Sequence, residues 1–186
     1  MVCVVVSLGC SPEASWEMTL QAGQQALGQG KEQKEQEAVR LLSAAVSQAE
    51  AFGKNDARLE LSLSNLAQAY AMYGKYVEAE PLLKRSLAIK EKLLGATHPE
   101  VALGLRNLAI LYQVDGRLDL AEGLFKKLLA VREKALGPDH PEMANSLDDL
   151  ASLLRKAKRE QEADALPAKA AGLKTAASLP TPSSGQ

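Results

Sequence analysis

Short motifs recur along this sequence with a constant spacing of 42 residues. Five landmarks keep that spacing, although the last copies vary at one or two positions. They are Asn65-Leu66-Ala67 with copies at 107 and 149, Gly74-Lys75 with copies at 116 and 158, Ala79-Glu80 with copies at 121 and 163, Leu94-Gly95 with a copy at 136, and His98-Pro99-Glu100 with a copy at 140. A fixed period of this length is typical of a repeat array, in which each unit buries its apolar face against its neighbours.

Each repeat contains two segments with the apolar spacing of an α-helix. The first segment of one repeat places Leu59, Leu63 and Leu66 on one face, and the second runs from Tyr76 to Leu94. A glycine follows each segment, because glycine tolerates the left-handed conformation that ends many helices. Pro81 lies inside the second segment, where the loss of one backbone hydrogen bond is expected to bend the helix near its start.

Two similar boxes, residues 97–100 and 139–142, predict where the first helices of later repeats begin. In each box a proline suits the first helical position, where its missing N–H group would have no partner. The preceding polar residues are expected to cap the free N–H groups. Thr97, Asp139 and, in the earlier repeat, Asn55 are the predicted caps.

The predicted fold is therefore all-α, a repeat array of about four antiparallel helix pairs. The pairs are expected near residues 16–53, 55–95, 97–137 and 139–177, with a repeat domain over 11–177 and a disordered tail over 178–186. Pro167 stands where Leu83 and Phe125 fill the core of earlier repeats, so the last helix is expected to be kinked or loosely packed. That helix would serve either as a cap or as a face for a partner.

Composition excludes several classes of function. Lys plus Arg is 22 and Asp plus Glu is 23, a balance that argues against binding to nucleic acid. Apolar residues make up 46% of the chain, enough for a core. No nucleophile elbow or phosphate-binding loop is present, and the capping boxes explain both histidines, so we expect no enzyme, no metal and no cofactor.

The N-terminal segment resembles the end of a bacterial lipoprotein signal peptide. An apolar run, Val2-Cys3-Val4-Val5-Val6-Ser7-Leu8, precedes Gly9-Cys10. A signal peptide requires a Lys or Arg before its apolar run, and none stands there. A start codon upstream of Met1 would explain the missing positive charge. The resemblance implies a lipidated Cys10, attachment to a membrane and a place in the cell envelope. The alternative is an ordinary tail on a cytoplasmic protein.

The repeats resemble the tetratricopeptide repeat (TPR) family, in its 42-residue form similar to kinesin light chains. The resemblance rests on residues 79–92, on Leu94-Gly95, on His98-Pro99-Glu100-Val101-Ala102 and on residues 107–112. Coverage runs from about Trp16 to Ala176. The long heptad segment of a kinesin light chain is absent, and many bacterial proteins have similar repeats, so we expect a bacterial origin. Armadillo and HEAT repeats have a similar period. They fit this sequence less well, because the small residues at positions 67, 109 and 151 are typical of tetratricopeptide repeats.

The resemblance implies that the helix pairs form a right-handed superhelical solenoid. Its concave groove is formed by the first helix of each pair and binds a peptide or a helix of a partner protein. Helical spacing places twelve residues on that side: Ser64, Asn65, Gln68, Met72, Arg106, Asn107, Ile110, Gln113, Asp148, Asp149, Ser152 and Arg155. The predicted peptide-binding residues are Asn65, Gln68, Arg106, Asn107, Gln113 and Asp149.

Family members often use the position of Asn65 and Asn107 to hydrogen-bond a peptide backbone. The alternative is an asparagine that holds the neighbouring repeat. Asp149 can only accept hydrogen bonds, so the groove is expected to change character there. Arg106 is expected to pair with Asp148. The leading hypothesis is a non-catalytic scaffold for protein interaction. The second hypothesis is a lipid-anchored envelope protein that self-associates through its terminal repeats.

Overall fold

The computed structural model describes residues 11–27 and 32–166. These ranges contain no strand. Their seven complete helices are α1 Pro12–Ala26, α2 Glu32–Glu50, α3 Ala57–Met72, α4 Tyr76–Leu94, α5 Pro99–Val114, α6 Leu118–Leu136 and α7 Pro141–Lys156. Residues 160–166 are also helical. The all-α prediction is confirmed, whereas the predictions for Cys10, Pro167 and the tail lie outside the described residues.

The turn inside each repeat is closed by the same backbone hydrogen bond. The bonds run from the N–H groups of Lys75, Arg117 and Arg159 to the carbonyls of Tyr70, Tyr112 and Leu154, at 2.8, 2.9 and 2.9 Å. This six-residue closure is the Schellman motif, whose penultimate residue has a positive φ. Gly74 and Gly116 meet that need with φ of 71° and 84°, but Lys158 adopts it with a φ of 61°. The third turn therefore carries backbone strain that the first two lack.

The start of α5 differs from its prediction by one residue. His98, and not Thr97, is the cap, because its Nδ1 accepts a hydrogen bond from the Glu100 N–H at 3.2 Å. The helix begins at Pro99, which leaves the residue just before the proline in the capping position. The prediction for Thr97 was therefore wrong.

The same correction applies to the two equivalent starts. At α7, His140 replaces Asp139 as the cap, and its Nδ1 accepts from the Glu142 N–H at 3.3 Å. At α3, Asp56 replaces Asn55, because the helix begins at Ala57 and the carboxylate accepts from the Arg58 N–H at 2.8 Å. A histidine cap works only when the accepting ring nitrogen carries no proton.

The chain divides after Ile89, inside α4, into two compact units. In the first unit α1 packs on α2 and α2 packs on α3. Its core consists of Trp16, Leu20, Leu42, Ala45, Ala49, Leu59, Leu63, Leu66, Ala69 and Ile89. Gly23 makes the approach of α1 to α2 possible, since a Cβ atom there would lie 2.8 Å from the Leu42 side chain.

A chain of polar contacts ties α1 to α3 within the first unit. The Trp16 indole donates to the Ser62 hydroxyl at 2.7 Å, and that hydroxyl donates to the Arg58 carbonyl at 2.7 Å. The Arg58 guanidinium binds Asp56 and also lies over the Phe52 ring, 3.7 Å from its centre. The hydrogen bonds from Arg58 lower the pKa of Asp56 to about 2.

In the second unit α6 lies between α5 and α7 and packs on both. Its largest fully buried side chains are Phe125, Leu105, Leu128 and Leu153. Ser146, the repeat equivalent of Ser62, accepts from Arg132 at 2.6 Å instead of from an indole. No helix in the described part of the chain is long and apolar enough to cross a lipid bilayer.

Candidate functional site

Two helices carry a similar line of side chains on their solvent-accessible side. On α3 the line is Leu61, Asn65, Gln68 and Met72, and on α5 it is Leu103, Asn107, Ile110 and Val114. Steps of four, three and four residues keep each set on one face of its helix. We call these sets the α3 stripe and the α5 stripe.

The ends of the two stripes are apolar and exposed to a matching degree. Leu61 and Leu103 are 43% and 40% exposed, and Met72 and Val114 are 53% and 51% exposed. Scattered exposed apolar residues are normal on a protein surface, but here they recur with the 42-residue period. The equivalent positions on α7 are Asn145 and Lys156, so the apolar pattern stops after the α5 stripe.

The side-chain amide of Asn65, in the α3 stripe, makes two hydrogen bonds within the first unit. Asn65 Oδ1 accepts from Gln24 Nε2 of α1 at 2.8 Å, and Asn65 Nδ2 donates to the Leu61 carbonyl at 2.8 Å. Of the two interpretations of this position, contact with a neighbouring helix is the one that the geometry supports for Asn65.

The equivalent position on α7 is also occupied. Asp149 accepts from Arg106 Nε at 2.5 Å and from a terminal guanidinium nitrogen at 3.0 Å. These hydrogen bonds raise the pKa of Arg106. The prediction that Arg106 pairs with Asp148 was wrong by one residue, because the next position is rotated by about 100° around α7 and places its carboxylate beside α5.

Asn107 differs from both Asn65 and Asp149. It lies half-buried in the middle of the α5 stripe. Its amide makes no hydrogen bond to any residue within 11–27 or 32–166. An unpaired amide on a partly covered surface can both donate to and accept from a peptide backbone.

Three cationic side chains near the α5 stripe make contacts within the second unit. Arg106 binds Asp149, and the Lys156 ammonium donates to the Gln113 carbonyl at 2.6 Å. Arg155 pairs with Asp164 at 3.3 Å. Gln113 is thus a hydrogen-bond acceptor through its backbone, a role that the sequence did not predict.

The remaining predicted site residues are Gln68 and Cys10. Gln68 is exposed on the α3 stripe. Lipidation of Cys10 stays a prediction, because that residue lies outside the described ranges. Within those ranges no three His, Cys, Asp or Glu side chains come together as metal ligands, and His98 and His140 each cap a helix.

Sequence reasoning missed Gln24, Leu103 and Val114. Leu103 and Val114 had a readable signal, because they follow the apolar residues Leu61 and Met72 by one 42-residue period. Gln24 had none, since the first repeat carries insertions that break the 42-residue register.

Sequence profiles of the tetratricopeptide repeat match residues 61–100 and 100–173. The chain belongs to the tetratricopeptide repeat family. TPR proteins generally act as non-catalytic scaffolds for protein interaction. The resemblance to TPR proteins of the kinesin-light-chain type is confirmed. A comparison with curated protein sequences finds no match.

Solved TPR structures have the same fold. BtubC (BKLC) from P. vanneervenii has a TM-score of 0.79 and 19% identity, over 97% of this chain and 71% of that one. A kinesin-light-chain protein of Podosopora anserina with nearly identical TPR-like repeats has a TM-score of 0.70 and 28% identity, over 92% and 79%. MamA has a TM-score of 0.61 and 15% identity, over 87% and 80%. These structures support an all-α TPR solenoid.

Proposed function

We propose that this TPR protein is a non-catalytic scaffold that binds a peptide of a partner protein on the α5 stripe. Asn107 is the residue that holds the peptide backbone. The observation that carries the proposal is the contrast among three equivalent positions, in which Asn65 and Asp149 are bonded by neighbouring helices and Asn107 is not.

The apolar neighbours of Asn107 add to this support. Leu103 and Val114 offer contact area on either side of the amide, and Ile110 is half-buried beside it. Peptide-recognition surfaces combine contacts to the peptide's side chains with hydrogen bonds to its main chain. Main-chain hydrogen bonds give affinity in such sites, and side-chain contacts give selectivity.

The test uses a random peptide library displayed on phage and selected on the full-length protein. The affinity of enriched peptides is then measured by fluorescence anisotropy for the unaltered chain and for Asn107→Ala. We expect the substitution to weaken binding by about tenfold, the worth of roughly one hydrogen bond. The melting temperature should stay unchanged, because the Asn107 amide has no partner in the described chain.

Asn65→Ala is the matched control. It removes the same amide from the equivalent position of α3, where the side chain bonds Gln24. It should lower the free energy of unfolding by about 0.5–1.5 kcal/mol and leave peptide affinity unchanged. Enriched peptides that bind Asn107→Ala as tightly as the unaltered protein would show that Asn107 is not the contact.

A further inference from the structure

Both histidines of the chain lie in the second unit, and both are helix caps. His98 caps α5 and His140 caps α7, and in each ring Nδ1 accepts a hydrogen bond from a backbone N–H group, at 3.2 and 3.3 Å. We infer that the two caps form an acid-sensitive device: mild acid weakens the starts of α5 and α7 and leaves the start of α3 intact. Leu103 of the α5 stripe lies about one turn from the first of these starts, but the inference does not depend on peptide binding.

The chemistry of the imidazole ring gives the direction of the effect. Histidine is the side chain that ordinarily gains a proton as the pH falls from about 8 to about 5. Both ring nitrogens of the charged form are donors, so a protonated His98 has no ring atom that accepts from the Glu100 N–H. The added charge also lies at the N-terminal end of a helix, which carries a partial positive charge of its own. A protonated cap therefore loses a hydrogen bond and gains a repulsion.

The charged groups around the two caps determine how much of this effect remains. A glutamate follows each histidine by two residues, and a carboxylate attracts an imidazolium ring. Each of these carboxylates already contacts a cation of the preceding helix, since Glu100 lies 3.5 Å from Lys90 of α4 and Glu142 lies 3.4 Å from Arg132 of α6. Both glutamates are also about half exposed, so they offset the protonated ring only in part. The last turns of α4 and α6, which lead into the two caps, carry charges of both signs: Glu91, Lys92, Glu133 and Lys134.

The residue before each histidine ranks the caps. Asp139 precedes His140, and its exposed carboxylate attracts a protonated ring, whereas Thr97 precedes His98 and carries no charge. The response to acid should therefore be larger at α5 than at α7. The α3 cap provides the contrast, because hydrogen bonds from a guanidinium lower the pKa of Asp56 to about 2 and keep it a carboxylate in mild acid.

The experiment measures amide hydrogen exchange of the full-length protein at pH about 7.5 and about 5.5, corrected for the intrinsic effect of pH on exchange. In acid, exchange in the first two turns of α5 should quicken by about threefold to tenfold, which corresponds to the loss of one helix cap. The first turns of α7 should respond less, and those of α3 by less than about 1.5-fold. Similar changes at all three starts, or no change at α5, would overturn the inference.

His98→Asn is the matched variant, because asparagine is a good capping residue that gains no proton in this range. It should abolish the response at α5 and leave the response at α7, and His140→Asn should do the reverse. Between pH about 7.5 and about 5.5, the melting temperature of the unaltered chain should fall by more than that of the double variant, whose caps both keep their acceptors. Equal responses of His98→Asn and the unaltered chain would assign the effect to another group and contradict the inference.

Discussion

The α3 and α5 stripes are copies of one pattern, and they differ in what surrounds their central asparagine. On α3, the Asn65 side-chain oxygen accepts a hydrogen bond from the Gln24 side chain of α1. On α5, the Asn107 amide has no bond within the described residues. The comparison teaches that repetition copies a side chain and its position, whereas the neighbouring helix decides whether that side chain is available to a ligand.

Among the repeat-equivalent core positions at which the two units differ, one has Leu83 in the first unit and Phe125 in the second. Phe125 is completely buried, so Phe125→Ala should lower the free energy of unfolding by about 3–5 kcal/mol. Phe125→Leu, which gives the second unit the residue of the first, should lower it by about 1 kcal/mol. Urea denaturation followed by circular dichroism measures both. Similar losses for the two variants would mean that the units pack this position differently.

Equivalent serines accept from different donors in the two units. Ser62→Ala leaves the Trp16 indole N–H buried without an acceptor and should lower the free energy of unfolding by about 1–3 kcal/mol. Ser146→Ala should lower it less, because Arg132 also donates to the Glu142 carbonyl at 2.9 Å. Thermal denaturation of the two variants side by side checks the difference. A larger loss at Ser146 would reverse the comparison.

The α3 cap in the first unit is a carboxylate, whereas the α5 and α7 caps in the second unit are imidazole rings. Arg58 lowers the pKa of Asp56 to about 2, so the stabilisation from this carboxylate is present above pH about 4 and is lost as the pH falls towards 2. Asp56→Asn keeps a good capping group but removes the charge. At neutral pH it should lower the free energy of unfolding by on the order of 1 kcal/mol, since the pair is partly exposed.

Urea denaturation at pH about 7 and about 2.5 tests this, because the difference between Asp56→Asn and the unaltered chain should shrink as the Asp56 carboxylate is protonated. A difference at Asp56 that stays constant with pH would assign its stabilisation to the cap alone.

The turns provide the smallest expected effect. Lys158 adopts the left-handed conformation that Gly74 and Gly116 adopt in the earlier repeats. Lys158→Gly should raise the free energy of unfolding by about 0.5–1 kcal/mol, because relief of the strain exceeds the extra entropy of an unfolded glycine. Lys158→Ala, the control, keeps the strain and should give no gain. Differential scanning calorimetry measures the shift, and a loss of stability in Lys158→Gly would contradict it.

Much of the fold followed from the repeat. The apolar spacing predicted helices because burial repeats every 3.6 residues. The glycines at 74, 95 and 116 marked helix ends because few other residues adopt a positive φ there. The exact caps did not follow, since Thr97 and His98 are both able to accept hydrogen bonds and the geometry beside Pro99 selects one.

The candidate site, like the fold, could be predicted only in part from the sequence. The sequence by itself determined that Asn65, Asn107 and Asp149 occupy one repeated position, and that apolar residues flank the first two. Only the tertiary structure decided that Gln24 bonds Asn65, that Arg106 bonds Asp149 and not Asp148, and that Asn107 is unpaired among the described residues. The reason is physical: spacing along a helix fixes the face on which a side chain lies, but a hydrogen bond depends on the length and direction of a side chain that arrives from another helix.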